Sequence, residues 1–164
     1  MPDASASGLA VALELAFAVA MVASAVSDLA WRRLPNWLNA VIAIGYVPWA
    51  WAHGMPWAAM AVAAGVGAIV LLAGFVLFSA GVIGGGDAKM AAAVAVWIGF
   101  SYDLLRFFLV MSLAGGVLAL AALAIQGLRG TPLRRPLPYG VAIAAAALDY
   151  WLHHAEVACR AGLC

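Results

Sequence analysis

Two of the seven acidic residues in the sequence, Asp28 and Asp87, stand in segments that set them apart. Asp28 opens the run Ser27-Asp28-Leu29-Ala30-Trp31-Arg32-Arg33-Leu34-Pro35-Asn36-Trp37-Leu38-Asn39. This run reads as a helix end, a basic turn and a new helix. Pro35 biases Leu34 toward extended backbone, and the Asn36 side chain is placed to cap the helix that follows. Asp87 follows three glycines in Gly84-Gly85-Gly86-Asp87-Ala88-Lys89-Met90. The glycines leave the backbone free to take positive φ and to let another chain pass close. Each acid also has a plainer reading: Asp28 answering Arg32 one turn on, and Asp87 as the N-cap of a helix. Brought together they would do chemistry that neither does alone. Two close carboxylates cannot both ionise cheaply, so one keeps its proton near neutral pH. The ionised partner can then take a proton from water while the protonated one polarises a carbonyl.

A third segment, Pro136-Leu137-Pro138-Tyr139-Gly140-Val141-Ala142, opens a hydrophobic stretch. It reads either as a plain helix start with proline in the first turn or as exposed backbone that pairs with an extended substrate. The other acids weigh less. Asp3 and Glu156 lie in the tails, Asp103 in a loop, and Asp149 near the end of the last apolar stretch. Glu14 lies within an apolar stretch, where an ionisable group suggests function, but its place near the edge also fits a solvated side chain. The neighbouring His153 and His154 point in different directions on a helix and read as interfacial polar residues. Cys159 and Cys164 lie together near the C-terminus, where a disulfide is possible and not required. No Cys/His set has zinc spacing, so no metal is expected. The glycine run lacks the lysine-serine signature of a phosphate-binding loop and the strand and distant acid of a dinucleotide fingerprint.

These residues must be positioned by membrane helices. The 164 residues are 68% hydrophobic and 9% charged, against about 25% charged in soluble domains. So apolar a chain cannot coat itself with polar groups, and the excess faces lipid. Spans are expected near residues 8–27, 37–52, 58–82, 88–100, 104–128 and 137–152, forming one all-α polytopic domain. The fourth is short for a lipid-exposed span and fits a sheltered helix preceded by irregular backbone. Trp31, Trp37, Trp49, Trp51 and Trp57 cluster around the ends of the second, as headgroup-level rings do. Loops after the first, third and fifth spans hold Arg32, Arg33, Lys89, Arg129, Arg134 and Arg135, leaving Arg106 and Arg160 opposite. That bias places the first set, and with it Asp28 and Asp87, at the cytoplasmic face and both termini outside. A net charge of +1 gives no reason to expect nucleic acid as a partner.

The three segments, in this order, resemble the prepilin peptidases, membrane aspartyl proteases that remove leader peptides from type IV pilin precursors. The chain looks most like the short form of tight-adherence (Flp) pilus systems. The match rests on Asp28 with Arg32-Arg33-Leu34-Pro35-Asn36, on Gly84-Gly85-Gly86-Asp87-Ala88-Lys89, where Gly84-x-Gly86-Asp87 reads as the family's GxGD signature, and on Pro138-Tyr139-Gly140. The resemblance implies a helical bundle of the aspartyl intramembrane protease kind in the bacterial inner membrane, without a cofactor. It implies Asp28 and Asp87 as the catalytic pair, with Gly84, Gly85, Gly86, Lys89, Arg32, Arg33, Pro35, Asn36, Pro138, Tyr139 and Gly140 binding substrate or shaping the site. The implied substrate is a prepilin or pseudopilin with a hydrophobic N-terminal helix. Long members carry a cysteine-rich insertion and methylate the new N-terminus. No such insertion separates the first two spans here, so methylation is not expected.

The competing reading is a small proton-coupled transporter or channel in which Asp28, Asp87 and Glu14 carry protons. A short, glycine-broken fourth helix suits a discontinuous transporter helix. Against it, no repeat relates the two halves, and the acids lie at one face instead of the midplane.

Overall fold

A computed structural model describes residues 4–129 and 137–160. Six helices follow in order: α1 (Ala4–Trp31), α2 (Asn36–Ala52), α3 (Trp57–Ser79), α4 (Gly85–Ile98), α5 (Tyr102–Arg129) and α6 (Tyr139–Arg160). The described residues are otherwise turns and short connections, so the fold is all-α. Within α1, α3 and α5, the stretches Gly8–Trp31, Trp57–Ser79 and Tyr102–Gln126 are long and apolar enough to cross a membrane. Their outward side chains are apolar, among them Val19, Ile69, Leu72, Val117 and Leu120, as a lipid-facing surface requires.

The expected boundaries change in two places that matter. The first helix runs past Asp28 to Trp31, which puts Asp28 in the last turn of α1. The fourth begins at Gly85 instead of after Asp87. At 1.5 Å per residue its 14 residues span roughly 21 Å, well short of a ~30 Å hydrocarbon core. It is also the most enclosed element: Met90, Val94 and Ala95 are fully buried, with Ala88, Ala91, Ala92, Ala93, Trp97 and Ile98 nearly so. Helices α2, α3 and α6 pack around it.

Small residues permit this enclosure, since without large side chains the backbones approach closely. Gly74 of α3 lies so near Ala88 of α4 that an added Cβ would stand 2.8 Å from the Ala88 Cβ. Ala88 has no rotamer that relieves such a contact. Gly74→Ala therefore forces α3 and α4 apart, and the expected cost is about 1–3 kcal/mol. Thermal unfolding in detergent should show a lower midpoint for this variant; an unchanged midpoint would contradict the packing.

Elsewhere the core is closed by aromatic stacking and one buried polar link. The Trp97 ring lies against Phe17 and Trp49, with centroids at 4.6 and 5.3 Å. Its Nε1–H donates to the Ile42 carbonyl at 2.7 Å, satisfying a group that would be costly to bury unpaired. Four-residue steps at Leu38, Ile42, Tyr46 and Ala50 give α2 its buried stripe.

Candidate active site

Asp28 is buried, and its carboxylate has a fixed partner. The Gly140 N–H donates to its Oδ2 at 2.8 Å. Gly140 is the second residue of α6, and first-turn N–H groups have no partner within their own helix. The acid of α1 supplies the acceptor and so ties the start of α6 to the end of α1. Contact is close: a Cβ on Gly140 would stand 2.9 Å from that oxygen and 3.1 Å from the Asp28 Cβ and Cγ. After Asp28, the Arg32 N–H donates to the Asp28 carbonyl and the Ser27 hydroxyl to the Arg33 carbonyl, at 2.9 and 2.8 Å. Arg32 takes a φ of 52°, uncommon outside glycine, which turns the chain out of α1.

Asp87 is held from the other side. It is the third residue of α4, while Gly84 occupies the N-cap, so Asp87 is not the cap the sequence suggested. Its carboxylate accepts instead from the Gly84 N–H, as the third-position acid of a capping box does. The three glycines do not use the positive φ open to them; among the described residues that backbone occurs at Gly54, Gly81, Gly99 and Arg32. Their value is space. A Cβ on Gly84 would stand 2.6 Å from the Asp87 Oδ2, and one on Gly86 3.1 Å from the Leu34 Cβ.

Asp87 lies outside the three apolar spans. Burial, and after it the negative charge of Asp28, pushes its carboxyl up to about 6, against the opposing Gly84 hydrogen bond. Removing the Asp28 charge relieves part of the penalty on ionising Asp87. Asp28→Asn should therefore lower the Asp87 pKa, leaving it above the ordinary 3.8 because burial is the larger cause. Carbon-13 NMR of labelled aspartate carboxyls across pH reads this directly, and an unmoved or raised midpoint would show that the two acids do not sense each other.

Both aspartates line one polar cleft of about 890 Å³, together with Arg32, Arg33, Leu34, Pro35, Asn36, Gly84, Gly85, Gly86 and Tyr139. Most of the residues singled out from sequence thus converge. Four depart from their expected parts. Asn36 begins α2 with Pro35 as its N-cap and makes no side-chain cap bond; its Oδ1 accepts from Lys89 Nζ at 2.9 Å, joining the two motifs. Pro138, Lys89 and Gly140 are not among the residues lining the cleft. The backbone at Gly140 is already paired with Asp28, so it is not a free strip for a substrate.

Sequence reasoning missed Asn39. It is buried on α2, and its Nδ2 donates to the Gly86 carbonyl at 3.3 Å, holding the glycine run from behind. The signal was a second asparagine one turn after Asn36 on an otherwise apolar helix.

The remaining polar residues gather at the opposite end. Trp49 donates to Glu14 at 3.1 Å, with His53 3.7 Å from the same oxygen. Arg106 pairs with Asp149 at 3.0 Å, and His154 lies 3.6 Å from Asp103. Glu14 is thus half-exposed and remote from the cleft. Asp3, Arg129, Pro132, Arg134, Arg135, Pro136, Glu156, Cys159, Arg160 and Cys164 have side chains outside the described set.

A model of the type IV leader peptidase family matches residues 15–120. The chain belongs to that family. It is therefore a peptidase that acts on a protein substrate, and its long apolar helices make it a membrane protein. No curated protein and no solved structure matches it. The matched range takes in the Asp28 and Asp87 motifs of this leader peptidase relative and stops before α6. The part α6 plays in its site rests on the Gly140–Asp28 contact and on Tyr139 in the wall of the cleft.

Proposed function

We propose that this family member is an aspartic endopeptidase that removes the leader of type IV prepilins of the Flp kind, with Asp28 and Asp87 as the pair that activates water. The observation that supports this reading is that two carboxylates from distant motifs line one cleft. One carboxylate, ionised, takes a proton from water, and the resulting hydroxide adds to the scissile carbonyl carbon. Its partner gives its proton to the carbonyl oxygen. Collapse of the tetrahedral intermediate breaks the C–N bond, and the leaving amine takes up a proton, so that one water is consumed for one peptide bond. No metal or cofactor enters this scheme.

The residues in and beside the cleft serve the substrate. Gly84, Gly85 and Gly86 give a peptide backbone access to the acids, while Arg32, Arg33 and Lys89 meet lipid phosphates or polar groups of the leader. Six helices alternate across the bacterial inner membrane, with both termini extracytoplasmic and the cleft at the cytoplasmic side. The basic turn between α1 and α2 supports this orientation. That turn also carries no inserted domain, which argues against N-methylation of the product. The test is co-expression with an Flp-type prepilin, with leader removal followed by mass shift and N-terminal sequencing. A single cut that depends on the chain is the expected result. No cut, with proton-gradient-driven flux in vesicles, would replace this reading by transport.

A further inference from the structure

Helices α2 and α3 both pack on α4 and make no substantial contact with each other. The gap between them is a mostly apolar groove of about 540 Å³, with Ala92, Ala93 and Val96 of α4 in its floor. Its walls follow one face of each helix, from Asn36 to Val47 on α2 and from Leu71 to Met60 on α3. At 1.5 Å per residue each wall runs about 16 Å. That is about half of a ~30 Å hydrocarbon core, the depth of one leaflet.

The polar groups are gathered at one end. Asn36, Asn39 and Lys89 line the groove where α2 and α4 begin, and Asn36 also lines the polar cleft. Lys89 is the one charged residue of the lining and makes no ion pair among the described residues. Its Nζ donates to the Asn36 Oδ1 at 2.9 Å. An ammonium has three donors, so two are left for an anion at the mouth.

We propose that this groove binds one phospholipid of the leaflet on the side of the cleft, its acyl chain between α2 and α3 and its phosphate on Lys89. The depth matches one leaflet, the walls are hydrocarbon, and the cation stands at the headgroup end. Charge distinguishes this groove from the other apolar gap of the molecule. That gap, about 410 Å³ beside α3 and α5, has Asp87 as its one charged residue and offers a phosphate only repulsion. The bound lipid fastens the heads of α2 and α4 together, since Lys89 already bonds Asn36 and Asn39 holds the Gly86 carbonyl. Such a site exists whether or not the chain cuts a precursor.

The full chain, purified in dodecyl maltoside and stripped of carried lipid, is titrated with phosphatidylglycerol, phosphatidylethanolamine or uncharged diacylglycerol. Native mass spectrometry counts the lipid bound. The parent should take up one molecule of either phospholipid ahead of any second. Diacylglycerol should bind at least about fivefold more weakly, the scale of one cation on a lipid phosphate. Lys89→Gln should weaken both phospholipids by that factor, and Lys89→Arg should keep them. Ala68→Trp, which fills the groove from α3, should weaken all three lipids about tenfold or more. Ala73→Trp, on the α3 face toward the other gap, should bind as the parent does.

Positions 68, 73 and 89 are exposed, so these changes spare the core. Thermal unfolding checks each variant and reads binding a second time, because a ligand of the folded state raises the midpoint. Added phospholipid should raise it in the parent and in Ala73→Trp, and less in Lys89→Gln and Ala68→Trp. Should Ala68→Trp fail to fold, Lys89→Gln and the lipid series decide the same question. Equal phospholipid affinity in the parent and Lys89→Gln would overturn the proposal. So would diacylglycerol binding as tightly as phospholipid, or a second copy of the chain that occupies this face and excludes lipid.

Discussion

Asp28→Asn and Asp87→Asn are each expected to lower leader removal by roughly 10³-fold or more, the scale on which loss of an essential acid or base is felt. Asparagine keeps the size of aspartate and the oxygen that accepts a hydrogen bond. The Gly140 N–H can still donate to position 28, and the Gly84 N–H to position 87, so the contacts that join α6 to α1 and order the head of α4 persist. What disappears is the ability to exchange a proton with water or with the scissile carbonyl oxygen. Asp103→Asn, at the far end beside His154, removes an acid of the same kind and should cleave at the parental rate. The comparison separates loss of chemistry from loss of charge in general, and quantitative immunoblotting of precursor and product over time measures it.

Gly140→Ala carries the second largest expected effect, and it acts without removing any polar group. The new methyl would lie 2.9 Å from the Asp28 Oδ2 and 3.1 Å from its Cβ and Cγ. The Cβ contact is the decisive one, because rotating the carboxylate does not relieve it. Either α6 backs away from α1 or the carboxylate leaves the cleft. Displacing a catalytic group lowers the rate, by up to about 10²-fold for a shift of 1 Å. Gly116→Ala is the matched control on α5, since a Cβ there meets nothing within 4 Å, and its rate should be unchanged. Parental activity in Gly140→Ala would show that the Asp28 position is not held by α6 during turnover.

Much of this architecture was legible in the sequence because lipid makes strong demands on composition. Apolar stretches had to be helices, and helix α4 read as sheltered because it is too short to cross unaided. A residue's part was legible where it depends on what lies beside it in the chain, as with Pro35, whose extended backbone separates α1 from α2. It was obscure where the role depends on a distant partner. Asn36 looked like a cap from its neighbours, but Lys89, far along the chain, takes its oxygen. Asn39 had no local reason to matter, and acquires one only because Gly86 is brought to it. The glycine run offered two properties, freedom of φ and close approach, and packing against Leu34 and the Asp87 carboxylate uses the second. Local sequence states what backbone is permitted; tertiary contact decides which permission is used.

The same limit applied to the pair itself. Nothing in the spacing of Asp28 and Asp87 says that they meet, and only the side on which loops fall suggested a common face. The contacts that bring them together run through α6, whose opening residues bind Asp28, and through α2, whose Asn39 and Asn36 hold the Gly86 carbonyl and Lys89.

Activity of the double variant Asp28→Asn/Asp87→Asn, set against the two single variants on one prepilin in vesicles, tests most directly whether the aspartates act as one proton-sharing unit. If they do, either single change already disables the unit, and the double variant should be no slower than the slower single. Multiplicative losses, with the double variant falling by the product of the two single effects, would contradict the account, as would parental cleavage by either single variant.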